Sequence, residues 1–230
     1  MWTRKELKGN AKAVLKANYW KAVLVSFILA LLLGSGAGSA RSAASGSDTQ
    51  LSDVFAGYSA EVIGAMFIAL VSILAVTFLI HVVLKIFVWN PLQVGCYKFF
   101  LNCSGSDAKI RDVVFAFKNG YGKACLTMLV RYVCTFLWSL LLIIPGIVKS
   151  YEYMMIPYIL ADNPGISRKE AFAKSKEMMR GQKWKAFVLD LSFLGWMILG
   201  FITLGIVDIF YVTPYMNLTR TQLYYTLKNN

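Results

Sequence analysis

An apolar segment of 28 residues, Val62–Trp89, constrains this chain more than any other feature. Its only ionisable side chains are His81 and Lys85, and about 20 apolar residues suffice for a helix to cross a bilayer. The whole chain has the same bias, with 57% hydrophobic and 16% charged residues, whereas soluble domains have about 25% charged residues. These features exclude a disordered chain, argue against a soluble globule and predict an integral membrane protein.

Five further segments are apolar enough to be membrane spans, so the sequence predicts an all-α, polytopic fold with six transmembrane helices. The fourth has only 16 residues, and the sixth is interrupted by Pro214. In chain order, the six predicted spans are Ala22–Gly38, Val62–Trp89, Ala124–Ile144, Gly146–Ala161, Ala186–Ile202 and Gly205–Leu227.

The basic residues predict the orientation of these spans. Of the 24 Lys and Arg residues, 20 lie in residues 1–21, 90–123 and 162–185 or are Arg220 and Lys228. Basic segments favour the cytoplasmic side of a membrane. We therefore expect both termini in the cytoplasm, which requires an even number of spans. Residues 39–61 hold one Arg and three acidic residues and are predicted to form a flexible extracytoplasmic loop.

A threefold repeat predicts one membrane domain over residues 1–230, built from units at about 3–101, 104–161 and 167–227. Each unit consists of a basic amphipathic segment, an outward span, a turn and an inward span, which gives three helical hairpins with cytosolic interfacial helices. Thr3–Glu6 and Ser167–Glu170 match the capping box that begins a helix. The predicted apolar faces are Leu7, Ala11, Val14 and Leu15; Ile110, Val113, Val114 and Phe117; and Ala171, Phe172, Ser175, Met178 and Met179.

An aromatic residue and a Lys-Ala pair stand at the mouth of each outward span. Aromatic rings favour the headgroup region, and basic helices bind anionic leaflets. We expect these residues to anchor three helices on the anionic inner leaflet, although they could instead bind a cytoplasmic protein. The predicted interfacial anchors are Trp20, Lys21, Tyr121, Lys123, Trp184 and Lys185.

Several short motifs resemble those of the bacterial domain-of-unknown-function 975 family of integral membrane proteins. They are Glu6-Leu7-Lys8, Ala11-Lys12, Asn18-Tyr19-Trp20, Ile144-Pro145-Gly146-Ile147, Ser175-Lys176 and Pro214-Tyr215. More distantly, the chain is similar to the membrane domain of some glycerophosphodiester phosphodiesterases. The second resemblance implies a role connected with lipids or the cell envelope. Neither resemblance supplies a catalytic residue or a substrate.

No catalytic, cofactor-binding or metal-binding residues are predicted. The single histidine, His81, has no neighbouring nucleophile in the sequence, and the four cysteines do not have zinc or iron–sulfur spacing. His81 could belong to a proton relay, but a packed, hydrogen-bonded histidine explains it better. The cysteines are expected to be free thiols.

Charges within the predicted spans are the sharper signal, because a charge at mid-bilayer costs at least about 2.5 kcal/mol and usually faces a partner or a cavity. An Arg131–Asp190 ion pair fits their depths, although Arg131 could instead extend to the cytoplasmic interface. The repeat pairs Lys149 with Asp208, and Glu152 competes for Lys149. The candidate charged sites are therefore Arg131, Lys149, Glu152, Asp190 and Asp208.

These observations predict a non-enzymatic, multi-pass protein of the bacterial plasma (inner) membrane. Its expected role is an envelope- or lipid-associated scaffold or partner subunit. The alternatives are a transporter or permeation path for a small amphiphile or ion and, third, an intramembrane lipid-handling enzyme. The expected partners are membrane lipids of the anionic inner leaflet, together with a membrane protein or a second copy of the chain. Nucleic acid is not expected, because the positive charge is divided among membrane-adjacent segments.

Overall fold

The computed structural model describes residues 2–33, 59–105 and 108–229, and these residues form helices without any β-strand. The predicted loop at residues 39–61 lies outside the described residues except for its last three. The α-helices are α1 (Arg4–Ala17), α2 (Tyr19–Leu33), α3 (Ala60–Leu84), α4 (Asn90–Gly105), α5 (Phe115–Lys118), α6 (Tyr121–Leu141), α7 (Ile143–Glu152), α8 (Ile156–Asp162), α9 (Arg168–Met178), α10 (Lys183–Leu191), α11 (Leu194–Ile202) and α12 (Thr213–Lys228). Two π-helical segments, Lys85–Trp89 and Asp208–Val212, and a 3₁₀ helix, Ile110–Val114, complete the described helices.

Three continuous helices are long and apolar enough to cross a membrane. They are Glu61–Gly105, Tyr121–Leu141 and Lys183–Ile202. A fourth candidate consists of α1 and the start of α2, which meet at an angle of 107°. The all-helical, membrane-embedded class is thus confirmed, with three or four candidate spans. The predicted fourth span is divided into α7 and α8 by a turn at residues 153–155, so it is not a single helix.

The described chain divides into a packed base and three apolar arms. The arms contain two buried residues, the glycines Gly146 and Gly200, and all other buried residues lie in the base. The base comprises residues 2–30, 90–105, 108–132, 149–193 and 212–229, and the arms comprise residues 60–89, 133–148 and 194–211. The exposed apolar surface of the arms is typical of helices that face lipid rather than water.

Three helices of the base have a proline in their first turn. Pro91, Pro157 and Pro214 are each the second residue of a helix, namely α4, α8 and α12. Proline has no N–H and its ring clashes with the carbonyl four residues earlier, so it is tolerated in the first helical turn and disrupts the helix before it. The two π-helical segments and the turn at residues 153–155 lie directly before these helices. Prolines at equivalent places therefore explain all three interruptions.

The three segments that follow these prolines meet in the centre of the base. The ring of Tyr158 on α8 lies 4.5 Å from that of Tyr97 on α4 and stacks 5.6 Å from that of Tyr224 on α12, measured between ring centroids. All three side chains are buried. Burial of large aromatic rings in such contacts contributes strongly to packing, and the fold is thus closed around α4, α8 and α12.

The amphipathic segments cover this core, as the sequence predicts for the first and third. Leu7, Ala11 and Leu15 of α1 are buried, and α1 packs against α12. Ser167 and Glu170 form the complete capping box of α9, whereas Thr3 caps α1 by accepting a hydrogen bond from the Glu6 N–H alone. The apolar faces of these helices therefore contact the bundle.

The predicted face of the middle segment is wrong. Val113 is buried, but Ile110, Val114 and Phe117 are exposed, and the second buried residue is Ala116. The reason is that this segment is a 3₁₀ helix followed by one α-helical turn. A period of three residues places positions 113 and 116 in line, whereas the prediction assumed the α-helical period.

Candidate functional site

Glu152 at the end of α7 is a buried carboxylate that joins three helices. Its Oε1 accepts a hydrogen bond of 2.9 Å from Lys149 Nζ, and its Oε2 forms an ion pair with Lys183 of α10. Its backbone carbonyl accepts a hydrogen bond of 2.7 Å from the hydroxyl of Ser175 on α9. Only 4% of the Glu152 side chain is exposed, so the two lysines compensate a charge that would otherwise be costly to bury.

Asp190 on α10 forms a second junction. Arg220 of α12 donates two hydrogen bonds to it, from Nε to Oδ1 at 3.2 Å and from Nη2 to Oδ2 at 3.0 Å. The hydroxyl of Tyr151 on α7 donates to the same carboxylate at 3.0 Å. Paired donors of this kind give the strong, directional form of an Arg–carboxylate ion pair. Asp190 thus ties α10 to both α7 and α12.

The predicted Arg131–Asp190 pair is wrong, because Asp190 is bound by Arg220. The Arg131 guanidinium lies 5.5 Å from the centroid of the Tyr132 ring. Its Nη1 is buried without a hydrogen-bond partner among the described residues. Of the two basic candidates, Lys149 forms an ion pair, whereas Arg131 keeps a buried N–H group without an acceptor among the described residues. The cation–π contact with Tyr132 offsets part of the cost of desolvating the guanidinium.

The predicted Lys149–Asp208 pair is also wrong, and the competing Lys149–Glu152 pair forms instead. Asp208 has no side-chain partner among the described residues and lies against Gly200 of α11. Lys149 is the seventh residue of α7, whereas Asp208 is the third residue after the turn at residues 203–205. Four residues correspond to about 6 Å of helix, so the two charges do not stand at equivalent positions along their helices.

The predicted anchors lie in pairs, one pair at the start of each of α2, α6 and α10. Trp20 and Trp184 are 73% and 72% exposed, and the Tyr121 hydroxyl donates a 2.8 Å hydrogen bond to the carbonyl of Phe87. Lys21 and Lys123 donate to backbone carbonyls of later segments, and Lys185 lines a cleft. Exposed indoles beside basic residues are typical of a membrane–water interface.

Four clefts of about 300 to 620 Å³ open at the basic surface of the base. They are lined by residues of α1, α9, α10 and the end of α12, and none is lined by Arg131, Lys149, Glu152, Asp190 or Asp208. The predicted intramembrane charges thus lie outside these clefts, and three of the five form ion pairs.

His81 and the cysteines are separate from both junctions. His81 is exposed on α3, where its ring contacts the edge of Trp89 with centroids 4.8 Å apart, so the expectation of a packed histidine is wrong. All four cysteines are free thiols, of which Cys96, Cys103 and Cys125 are buried. Burial limits their reactivity.

Residues 61–230 match the family model described as Protein of unknown function (DUF975). The chain belongs to this family. No curated protein and no solved structure matches the chain. The comparisons thus give no support to the more distant resemblance to glycerophosphodiester phosphodiesterases. The role of this DUF975 membrane protein must therefore be inferred from its structure.

Sequence reasoning missed Arg220, Lys183 and Tyr151 as partners of the buried carboxylates. The sequence indicated Arg220 and Lys183 only as basic residues that face the cytoplasm. No sequence pattern indicated that the hydroxyl of Tyr151 would bind a carboxylate. It also missed the Lys228–Asp162 ion pair, which joins the ends of α12 and α8 and includes a hydrogen bond from Tyr224. No local spacing signals these pairs, because Arg220 and Asp190 lie 30 residues apart and Lys228 and Asp162 lie 66 residues apart.

Proposed function

We propose that this protein is a non-enzymatic scaffold or partner subunit of the bacterial inner membrane that works in contact with lipids. One observation carries the proposal. The carboxylates Glu152, Asp190 and Asp162 of the base form ion pairs that join helices, whereas the apolar arms present uncovered surface to their surroundings. A transporter needs polar groups free to line a path, and the carboxylates of Glu152 and Asp190 are instead paired with basic side chains.

The proposed topology has six spans, three hairpins and both termini in the cytoplasm. The 107° angle between α1 and α2 supports it, because α1 lies in the membrane plane if α2 crosses the bilayer. The contacts of α6 with α7 and of α11 with the second π-helical segment are those of two hairpins. Interruptions before Pro91, Pro157 and Pro214 support the threefold repeat, since unrelated segments would not break at the same place.

Helix α3 is the proposed partner-binding arm. It is apolar all round, and none of its described side chains is buried. Ala65, Ala69 and Ser72 lie on one side of it, and Phe67, Leu74 and Phe78 on the other. Helices associate in lipid through small residues that allow close backbone approach. We therefore place the partner, a second copy of the chain or another membrane protein, on the side with Ala69.

Photocrosslinking along α3 in native membranes tests the partner role. Benzoylphenylalanine at Ala65, Ala69 or Ser72 should give a discrete protein adduct, and the same probe at Phe67, Leu74 or Phe78 should give much less. The opposite face serves as the matched control, because the probe, the depth and the helix are the same. Adducts with lipid alone, or equal protein adducts on both faces, would contradict a partner-binding role.

The topology is tested separately with a cysteine-free background. A cysteine at Ser45 should react with an impermeant thiol reagent in intact cells, whereas a cysteine at Asn229 should react only after the cells are opened. Labelling of Asn229→Cys in intact cells would mean that the number of spans is odd or that the orientation is reversed.

A further inference from the structure

The lysines at the mouths of the outward spans make equivalent contacts at two of three places. Lys21 at the start of α2 donates a hydrogen bond of 3.3 Å to the carbonyl of Ala108, in the segment before the 3₁₀ helix that begins at Ile110. Lys123 at the start of α6 donates at 2.6 Å to the carbonyl of Gly165, in the segment before α9, which begins at Arg168. Each lysine thus binds the backbone that precedes the next amphipathic segment.

The third lysine, Lys185, breaks this pattern. The segment that would continue the series is the one before α1, at residues 2–3. Trp2, Thr3 and Lys185 do meet there, but they line a cleft, and no described carbonyl accepts a hydrogen bond from Lys185. Where the other two junctions hold a carbonyl oxygen, this junction is open. An oxygen from outside the chain can take that place.

Two neighbouring clefts share Trp2 and Lys185 and form one groove. The larger part is about 620 Å³ and carries four basic side chains, Lys174, Arg180, Lys185 and Lys228, against the single acid Glu177. Lys228 is paired with Asp162, so three of these cations have no acidic partner among the described residues. A groove of this size accommodates a small ligand, and its charge favours an anion.

A second, independent observation points to a ligand with oxygen atoms. Trp2 is only 8% exposed, and its indole Nε1–H lacks a hydrogen-bond acceptor among the described residues. A buried donor without an acceptor costs about 1–3 kcal/mol. The Oε1 of Gln182, which also lines the groove, is likewise buried without a partner and could accept from a hydroxyl. Trp2 and Gln182 both line the groove, so its wall contains two unmet polar atoms besides its cations.

We propose that this groove, between the start of α1 and the start of α10, binds the headgroup phosphate of an anionic phospholipid. Trp2, Lys185 and Arg180 hold the phosphate. This site rests on the proposed membrane orientation, which brings the groove to the inner headgroup level. Its surroundings favour a lipid over a soluble phosphate, because Trp184 and Val188 line the smaller cleft and lead to the exposed apolar side of α10. Acyl chains can follow that surface while the phosphate occupies the open junction.

Native mass spectrometry of the full chain in detergent, titrated with phosphatidylglycerol or phosphatidylcholine, tests the site. The wild-type protein should bind one phosphatidylglycerol in preference to phosphatidylcholine. Lys185→Gln should weaken that binding about fivefold, the effect of one cation near an anionic lipid surface. Trp2→Phe keeps the ring and removes the N–H, and it should weaken binding about threefold. Lys185→Arg should retain wild-type affinity.

Lys169→Gln is the matched control, because it removes an equal charge from an exposed lysine of α9 that lies outside the groove. It should leave the affinity unchanged. Equal losses in Lys185→Gln and Lys169→Gln, or equal binding of the two lipids, would overturn the site. Displacement of phosphatidylglycerol by an equal concentration of glycerol phosphate would overturn the lipid as ligand and assign the groove to a soluble phosphate ester. If phosphatidylglycerol does not bind while Asn229→Cys is labelled only after the cells are opened, the groove alone is overturned. Labelling of Asn229→Cys in intact cells would instead overturn the topology.

Discussion

The packed base and the apolar arms solve the problem of helix association in different ways. In the base, aromatic rings, ion pairs and prolines fix the positions of α4, α8 and α12. In the arms, two close contacts are made possible by glycines, a device that the base also uses at Gly95. An added Cβ at Gly146 would lie 2.4 Å from Ser139 Oγ, and one at Gly200 would lie 2.9 Å from Asp208 Cβ.

This difference follows from the solvent that each region meets. Between helices in lipid there is no hydrophobic driving force, so close backbone packing at small residues replaces it. The base combines polar and basic surface with a buried core, and there apolar burial and paired charges both contribute. The base thus holds nearly all of the buried contacts, and the arms expose most of their apolar surface.

The largest expected effect comes from filling a backbone contact of the base. Gly95 of α4 packs so closely on the 3₁₀ helix that an added Cβ would lie 1.7 Å from the carbonyl oxygen of Val113. Gly95→Ala should therefore destabilise the protein by about 3 kcal/mol or prevent folding, since overpacking against backbone forces it to shift. The melting temperature in mild detergent measures this effect.

Gly64→Ala on α3 is the matched control, because no atom lies within 4 Å of its added Cβ. It should leave stability unchanged or raise it by up to about 1 kcal/mol, the helix preference of Ala over Gly. Similar destabilisation by both substitutions would contradict the division into base and arms.

The next largest effect should come from the Asp190–Arg220 junction. Asp190→Leu and Arg220→Met should each cost about 1–3 kcal/mol, because each leaves a half-buried charge without its partner. The double variant should lose less than the sum, with a coupling of at least about 1 kcal/mol. Unfolding of the four proteins in detergent gives this double-mutant cycle. Additive losses would show that the ion pair does not stabilise the base.

Much of the fold was predictable from hydropathy and charge. The helical class, the positions of the long apolar helices, the capping box of α9 and the buried faces of α1 and α9 all follow from local patterns. The all-round exposure of α3 does not, because an apolar run has the same sequence pattern whether it packs in a core or faces lipid. The 3₁₀ character of residues 110–114 also does not follow from local patterns. The three-residue spacing of the buried residues Val113 and Ala116 is set by packing against neighbouring segments.

The candidate site was harder to predict because ion pairing depends on register. Gly146 precedes Pro157 by eleven residues, and Gly205 precedes Pro214 by nine. Alignment on the glycines pairs Lys149 with Asp208, whereas alignment on the prolines pairs Tyr151 with Asp208. All three segments depart from regular α-helix directly before their prolines, so the proline alignment was the informative one. Arg220 then had to be located by three-dimensional packing, which neither alignment supplies.

A smaller effect on stability is expected at Asp208, which lies in an arm and not in the base. Asp208→Asn should change stability by less than about 0.5 kcal/mol or stabilise the protein, because the carboxylate has no partner to lose. Lys149→Met should be mildly destabilising through Glu152. The two effects should add to within about 0.5 kcal/mol in the double variant. A coupling above that value, measured by unfolding in detergent, would reinstate a Lys149–Asp208 interaction.

A further small effect should be a dependence of stability on pH at the Asp162 ion pair, at the rim of the base. Burial raises the pKa of the Asp162 carboxyl, but hydrogen bonds from Lys228 and Tyr224 outweigh this, and its pKa lies below the ordinary value. A lowered pKa in the folded state means that the carboxylate stabilises the fold above its unfolded pKa and loses this contribution as pH falls through the folded value. Because the pair is partly exposed, its contribution should stay below about 1 kcal/mol. The difference in melting temperature between wild type and Asp162→Asn should therefore be present at neutral pH and vanish in acid. A difference that persists unchanged in acid would mean that Asp162 acts through packing and not through its charge.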